Sequence, residues 1–306
     1  MENSEIFYNI LYLILNFLAY NITIIYEYYS NLQLSYSYYK CQIIASVLSL
    51  LFIWLTRNKP GYLINIPNNE IKNEIKNEVK NEKIINVESS PIVEINLNPY
   101  NGCDICKIPK LPLRTIHCPK CQKCVLGYDH HFWLLAGCIG ESNRFKFILF
   151  LFFENISLIY SLYAILKILN NLESEGMLYF TVLIFSLMSL IEIIFFWVFL
   201  YHIYLLITNQ TTYEIFNEEN CPYIKLFTLE RDKILQQRGI KIVTNSKAKP
   251  FDKGIFINIF IYFMRMFTSE EKKIKWEEIY FENLKTNRIN LNCGDKQIQN
   301  EEVSQV

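Results

Sequence analysis

Residues 103–138 read CDICKIPKLPLRTIHCPKCQKCVLGYDHHFWLLAGC, and they hold six of the chain's nine cysteines and three of its four histidines. Several of these cysteines are separated by only two residues, as in Cys103-x2-Cys106, and such a gap lets a tight turn present both sulfurs to one ion. Structural zinc takes four thiolate or imidazole ligands, so the nine side chains supply two closed sites with one histidine left over. This density indicates a metal-binding domain and argues against a secreted disulfide scaffold.

A RING finger is another zinc-binding domain with a comparable density of ligands. It would separate its histidine from the neighbouring cysteine and would end in a Cys-x2-Cys pair. Here His117 and Cys118 are adjacent, and Cys138 stands apart from the other cysteines. A membrane-bound RING-type ubiquitin ligase is therefore the less favoured alternative for this chain.

Long apolar tracts flank the cysteine-rich stretch. Of the 30 Lys and Arg residues, one lies in 1–56 and one in 147–207, whereas 57–146 holds 13 and 208–306 holds 15. A membrane-spanning helix needs about 20 apolar residues, and these tracts are apolar all round, unlike the helices of a soluble protein. The sequence predicts an all-α polytopic membrane protein with a cytosolic Cys-rich double-zinc domain between spans 2 and 3. Its four transmembrane helices are expected at about 7–26, 38–55, 147–166 and 177–207.

The basic residues also predict the orientation of the chain. The loops at 27–37 and 167–176 hold one lysine between them, and basic loops remain in the cytosol. We therefore expect both termini and the zinc domain on the cytosolic side of an endomembrane (ER or Golgi) or of the plasma membrane. Glu2 and Glu5 replace the basic start of a cleavable signal, so the first span is expected to be retained. Each basic block is matched by nearby acids, which argues against a nucleic-acid partner.

The remaining segments complete the expected domain organisation. A four-residue repeat (EIKN) fills most of residues 70–83 and predicts an exposed spacer. The expected parts are 1–56 (the N-terminus and spans 1 and 2), 57–97 (a cytosolic spacer), 98–146 (the Cys-rich zinc domain), 147–207 (spans 3 and 4) and 208–306 (a cytosolic tail).

Two acidic residues within the predicted spans and one apolar segment of the tail each allow more than one interpretation. Glu154 and Glu192 fall inside predicted spans, where an ionisable residue usually faces a cavity or a polar partner. Glu154 is only eight residues into its span, so a position near the membrane interface is the alternative for it. In the tail, residues 255–267 are apolar and aromatic except for Asn258 and Arg265. They predict either an amphipathic helix on the membrane or a segment packed on the spans.

Further motifs lie within and after the Cys-rich stretch. They are Arg114-x2-His117-Cys118, Asp129-His130-His131, Cys138-Ile139-Gly140, Asn143, Thr211-Thr212-Tyr213-Glu214 and Phe251-Asp252-x-Gly254-x3-Asn258. In this order, the motifs resemble those of the DHHC-type protein S-acyltransferases (palmitoyltransferases), which are four-span enzymes with a cytosolic Cys-rich domain between spans 2 and 3. The motif at 211–214 is similar to the family's Thr-Thr-x-Glu motif, and that at 251–258 resembles its C-terminal aromatic-and-Asn element. The likeness is dense over 100–147 and extends in architecture over 1–265.

The resemblance implies two structural zinc ions, whose interleaved ligands would join the domain into one unit and whose affinity would contribute to its folding. The first ion would take Cys103, Cys106, His117 and Cys124. The second would take Cys118, Cys121, His131 and Cys138.

The resemblance also implies a reaction, the transfer of an acyl group from acyl-CoA (palmitoyl-CoA) to cysteines of client proteins through an acyl-enzyme. Asp129 would orient His130, and His130 would deprotonate the residue at position 132. That residue is Phe132, which has neither a proton to give nor a lone pair to attack with. Trp133, Leu134 and Gly137 also depart from the family's pattern. We therefore expect catalysis to be impaired or absent.

Two functions follow from this substitution. The chain is either an S-acyltransferase that uses a route not involving residue 132, or a catalytically silent scaffold that binds acyl-CoA or client proteins. In the first case, His130 would activate the thiol of the client directly. No motif brings Cys41 or Cys221 to His130, and Cys138 is expected to bind zinc. The expected partners are the lipid bilayer, acyl-CoA and cytosolic or membrane client proteins.

Overall fold

The structure is a computed structural model that describes residues 36–57, 60–63, 102–109, 111–170, 175–237, 249–268 and 274–284. The predicted first span and the repeat at 70–83 lie outside these residues, so the number of four spans stays a prediction.

The described residues are mostly helical. The helices are α1 (Tyr36–Arg57), α2 (Arg144–Leu169), α3 (Glu175–Ile207), α4 (Thr212–Phe216), α5 (Pro222–Gln237), α6 (Ile255–Phe267) and α7 (276–284). Three of them are long and apolar enough to cross a membrane, namely α2, α3 and the Lys40–Arg57 part of α1.

The Cys-rich stretch departs from the all-α expectation because it contains four short strands. They are β1 (Ile116–Cys118), β2 (Lys123–Val125), β3 (His130–Phe132) and β4 (Gly137–Ile139). They form two antiparallel ribbons, β1 with β2 and β3 with β4. Each strand has three residues, which is too short for the alternating pattern by which a strand is recognised in a sequence.

The described chain divides into two compact units. The first contains α1, Gly127–Phe216 and Phe251–Lys275, and therefore holds the three long helices, β3, β4 and α6. The second contains Tyr62–Leu126, Asn217–Pro250 and the chain from Trp276, and therefore holds β1, β2 and α5.

The first unit is built on an apolar core between its long helices and the β3–β4 ribbon. Phenylalanine, leucine and isoleucine fill this core without a polar group to satisfy, so its stability comes from removal of apolar surface and from close packing. Its fully buried members are Leu135, Ile139, Phe147, Phe150 and Leu151.

A row of polar side chains joins α1 to α2. Gln42 Nε2 donates to Ser161 Oγ (3.2 Å), and the hydroxyl groups of Ser46 and Ser157 are 2.7 Å apart. One turn further along, the Ser49 hydroxyl donates to the buried Glu154 carboxylate. The spacing of 42, 46 and 49 on α1 and of 161, 157 and 154 on α2 puts each set on one helix face. Glu154 thus has a polar partner inside the bundle, as expected for an acid in a span.

Candidate metal centre and active site

The second unit brings four metal-binding side chains together. His117 on β1 lies opposite Cys124 on β2, and a turn closed by two bonds between the backbones of Cys103 and Ile108 adds Cys103 and Cys106. The Nδ1 atom of His117 is 3.3 Å from the sulfur of Cys106, 3.5 Å from that of Cys103 and 3.8 Å from that of Cys124. With bonds of about 2.0–2.3 Å, a tetrahedral zinc ion separates its ligands by about 3.3–3.8 Å. These residues therefore fit a structural zinc ion.

The other four predicted ligands are presented as two pairs. In the first unit, His131 on β3 lies opposite Cys138 on β4, and the sulfur of Cys138 is 3.7 Å from Nδ1 of His131. In the second unit, Cys118 and Cys121 belong to the turn between β1 and β2. A bond from the Gln122 N–H to the Cys118 carbonyl (2.8 Å) closes that turn. Each pair has two ligands of the kind that zinc prefers.

A glycine turn delivers Asp129 to the start of β3. Gly127 has a φ of +54°, and a Cβ at this position would lie 2.8 Å from the Cβ of Glu141. The turn therefore requires a residue without a side chain, for both conformational and steric reasons. The Asp129 N–H then donates to the Ile139 carbonyl (2.9 Å), which extends the β3–β4 ribbon by one bond.

Asp129 and His130 form the expected acid–imidazole pair. Oδ2 of the buried Asp129 lies 3.0 Å from Nδ1 of His130. The backbone N–H of Thr212 donates to the other carboxylate oxygen, Oδ1 (2.5 Å), and its hydroxyl donates to Oδ2 (3.3 Å). The N–H of Tyr213 donates to the Asp129 carbonyl (3.2 Å). The carboxylate is thus held from two sides, and it orients the imidazole.

The charge state of Asp129 follows from its surroundings. Burial alone would raise the pKa of this carboxyl, but the hydrogen bond to His130 and the positive charge of Arg144 together hold the pKa well below its usual range. Asp129 is therefore ionised and accepts the Nδ1–H of His130. This assignment leaves Nε2 of His130 as the nitrogen that can accept a proton.

The Thr-Thr-x-Glu motif has a physical explanation at the start of α4. The N–H of Glu214 donates to the Thr211 hydroxyl (3.1 Å), and the N–H of Thr211 donates to Oε2 of Glu214 (2.8 Å). This reciprocal pair is a capping box, with Thr211 as the N-cap. Because the box satisfies these two donors, the N–H of Thr212 can serve Asp129 instead. The motif therefore starts a helix and positions the acid at the same time.

The sequence reasoning missed His202, the fourth histidine of the chain. It is buried near the end of α3, with its Nδ1 atom 3.7 Å from Oδ2 of Asp129 and its ring centroid 5.3 Å from that of His130. Asp129 therefore has two imidazoles close to one carboxylate oxygen. The available signal was a histidine within an apolar span, nine residues before Thr211, but only the fold brings these segments together.

Phe132 ends β3 directly beside the acid–imidazole pair and lies opposite Gly137 on β4. Its ring packs edge-on against Phe147, with centroids 5.0 Å apart, and against His130, at 5.9 Å. It thereby joins the apolar core between the long helices. Position 132 is thus occupied by a packed benzyl group next to the histidine.

Two asparagines of the resemblance connect elements of the first unit. Asn143 accepts the Gly140 N–H (2.8 Å) and donates to the carbonyls of Cys138 (2.9 Å) and Thr56 (2.8 Å), so it links β4 to the end of α1. Asn258 donates to the Ile207 carbonyl at the end of α3 (2.7 Å). Neither asparagine is among the groups that contact Asp129 in the described residues. The catalytic and metal-binding roles of all the predicted site residues stay predictions.

Comparison with known proteins agrees with these motifs. Residues 97–219 match the DHHC palmitoyltransferase family. Palmitoyltransferase ERF2 of Kluyveromyces lactis is 35% identical over 140 residues (42% of this chain and 37% of that protein). Protein S-acyltransferase 10 of Arabidopsis thaliana is 30% identical over 124 residues (40% and 36%), and human palmitoyltransferase ZDHHC12 is 28% identical over 172 residues (54% and 56%). This chain thus spans between 36% and 56% of these relatives' length. By the match over residues 97–219 and these relatives, the Cys-rich region of the chain is the domain of the DHHC palmitoyltransferase family.

Proposed function

We propose that this chain has the fold and the metal sites of an S-acyltransferase but does not form an acyl-enzyme at position 132. The observation that carries the proposal is Phe132 beside His130, at the position where the resemblance puts the attacking cysteine. In the family's reaction, a histidine takes the thiol proton, the thiolate attacks the acyl carbonyl and coenzyme A leaves. A benzyl group supports none of these steps.

The remaining site residues keep the arrangement that the reaction needs. Asp129 holds His130 through its Nδ1 atom, and Thr212 holds Asp129 through both carboxylate oxygens. His130 would act as the base through Nε2. General-base catalysis contributes about 10²–10⁴-fold to a rate, but only when a proton donor is within reach. The arrangement therefore supports loss of the nucleophile within an otherwise retained site.

Two structural zinc ions complete the proposal. Cys103, Cys106, His117 and Cys124 would hold the first, and Cys118, Cys121, His131 and Cys138 the second. When bound, zinc would supply folding free energy to strands that are too short to be stable alone.

We further propose four spans, with both termini and the Cys-rich region in the cytosol. The segregation of basic residues supports this orientation. The three long apolar helices of the described residues support the spans that follow the first. The membrane is an endomembrane or the plasma membrane.

A second candidate function is binding without transfer, with acyl-CoA and cytosolic or membrane client proteins as the ligands. The retained Asp129–His130 pair favours this function, because it has kept its hydrogen bonds although the nucleophile is gone. An alternative route of transfer, in which His130 deprotonates the client's own cysteine, would use the same pair.

Release of coenzyme A from palmitoyl-CoA by the purified full-length protein tests the proposal. We expect no release above the buffer rate for the wild type and measurable release for Phe132→Cys. The double variant Phe132→Cys/His130→Ala should return to the buffer rate. Release by the wild type above the buffer rate would contradict the proposal. If wild type and Phe132→Cys are both inactive, the loss extends to the flanking changes at Trp133 and Gly137.

Retention of radiolabelled palmitoyl-CoA by the same wild-type protein separates the two candidate functions. Stable, reversible binding without release of coenzyme A supports a binding protein. Failure to retain the thioester removes acyl-CoA from the ligands of the second candidate.

A further inference from the structure

The helix α6 has the reverse polarity of a helix on the surface of a water-soluble protein. Its buried side chains include the polar Asn258, Tyr262 and Arg265, which lie on one face at a spacing of three to four residues. Its exposed face is a continuous apolar surface, and Phe256 at its start is 89% exposed. The exposed side chains are Ile255, Phe256, Ile257, Phe260, Phe263, Met264 and Phe267.

Hydrogen bonds and an ion pair fix this orientation. Tyr262 donates to Oδ1 of Asn209 (3.1 Å) and accepts from Nη1 of Arg144 (2.8 Å). Arg265 is paired with the buried Glu141, with Nε and Oε1 3.0 Å apart. Rotation of the helix to bury its apolar face would break the pair of Arg265 and Glu141 and leave two buried charges without partners, which is strongly destabilising. The apolar face is therefore held outward.

The partners of α6 also define its depth. Asn258 bonds to the carbonyl of Ile207, the last residue of α3, and Tyr262 bonds to Arg144, the first residue of α2. The ring of Phe263 packs against Phe145, one residue further into α2, with centroids 5.5 Å apart. Both α2 and α3 are long and apolar enough to cross a membrane. The helix α6 therefore lies level with the end of the bundle at which α2 begins and α3 ends.

We propose that the exposed face of α6 lies in the boundary between lipid headgroups and acyl chains, on the side where α2 begins and α3 ends. The helix has 13 residues, which corresponds to an apolar face of about 20 Å along the bilayer surface. Its only charged residue, Arg265, is turned inward and paired with Glu141. The contact therefore depends on burial of apolar surface and does not require anionic lipid, unlike that of a basic amphipathic helix.

The exposed face of α6 is apolar and lies level with the ends of α2 and α3. Both features argue for lipid, rather than a protein, as its partner. The inference goes beyond the proposed catalytic state. It holds whether or not residue 132 supports chemistry, because it depends only on the membrane-spanning helices.

Photocrosslinking of the full-length protein in phosphatidylcholine vesicles tests the proposal. The photoreactive residue p-benzoylphenylalanine is introduced at Phe256, where it replaces an exposed aromatic ring by a related ring and should not disturb the fold. Matched controls carry it at Trp197, which is exposed on α3, and at Ile105, which is exposed on the metal-binding turn of the second unit. Adducts are identified by mass.

We expect lipid adducts at 256 and 197, several-fold more abundant than at 105, and the same yield at 256 after phosphatidylserine is added. Crosslinking of 256 to a second copy of the chain, or equal lipid labelling at 105 and 256, would overturn the proposal. A lipid yield at 256 that appears only with phosphatidylserine would also overturn it. None of these results bears on whether the protein releases coenzyme A, so this proposal and the proposed function fail independently.

Discussion

At the scale of single residues, the proposed function rests on Phe132. The neighbouring Asp129 is ionised and hydrogen bonded on both oxygens, and His130 is oriented by it. The same two groups would activate a thiol if residue 132 had one. The packing of the Phe132 ring against Phe147 shows that the substituted side chain is part of the core.

Truncation of this ring tests its structural role. Removal of a fully buried phenylalanine side chain costs about 3–5 kcal/mol, and for the half-buried Phe132 we expect Phe132→Ala to cost about 1–2 kcal/mol. The measurement is the thermal unfolding midpoint of the purified protein in detergent. The control is Phe132→Leu, which keeps most of the apolar volume. Its unfolding midpoint should lie between those of the wild type and Phe132→Ala. An unchanged midpoint for Phe132→Ala would mean that the ring does not stabilise the core.

The residue scale also shows where prediction from sequence ended. Asp129 and His130 could be named because they are adjacent and belong to a motif. His202 could not, because more than 70 residues separate it from Asp129 and nothing in an apolar span indicates which side chain faces the acid. The contact depends on the way α3 packs in the first unit.

At the scale of elements, the composition of the apolar tracts predicts the long helices but not the residues at which they begin and end. The tract 147–166 predicted a span, whereas α2 runs from Arg144 to Leu169. Its first turn contains Arg144, whose charge is satisfied by Tyr262 and by the Gln210 carbonyl. A sequence pattern excludes such a charge from a span because the groups that accept its hydrogen bonds are far away in the chain.

We expect the capping box to stabilise the start of α4. Replacement of Glu214 by Ala leaves the buried N–H of Thr211 without its acceptor, which we expect to cost about 1–2 kcal/mol. Glu214→Gln should retain most of the stability, because glutamine serves the same position in a capping box. Both variants are compared by thermal unfolding in detergent. Equal midpoints for Glu214→Ala and the wild type would show that the box does not hold this helix.

At the scale of the whole molecule, the charge pattern of the sequence separates membrane segments from the Cys-rich region and the tail. The match over residues 97–219 confirms the family resemblance, and the three described apolar helices agree with the corresponding predicted tracts. The strands of the Cys-rich region could not be predicted, because each has only three residues and none shows hydrophobic alternation.

Zinc content tests the metal sites of the whole chain. Elemental analysis of the purified protein should give two zinc ions per chain, and Cys124→Ser should lose one of them. The control Cys41→Ser, at an exposed position on α1, should keep both. Fewer than two ions in the wild type, or no loss in Cys124→Ser, would contradict the eight-ligand scheme.

The most direct test of the account is covalent labelling of the wild-type protein by an alkyne-tagged palmitoyl-CoA, followed by treatment with neutral hydroxylamine, which cleaves thioesters. The account predicts no hydroxylamine-sensitive label on the wild type and a clear label on Phe132→Cys under the same conditions. A stoichiometric, hydroxylamine-sensitive label on the wild-type chain would show that another cysteine forms the acyl-enzyme. It would contradict the claim that Phe132 has removed this step.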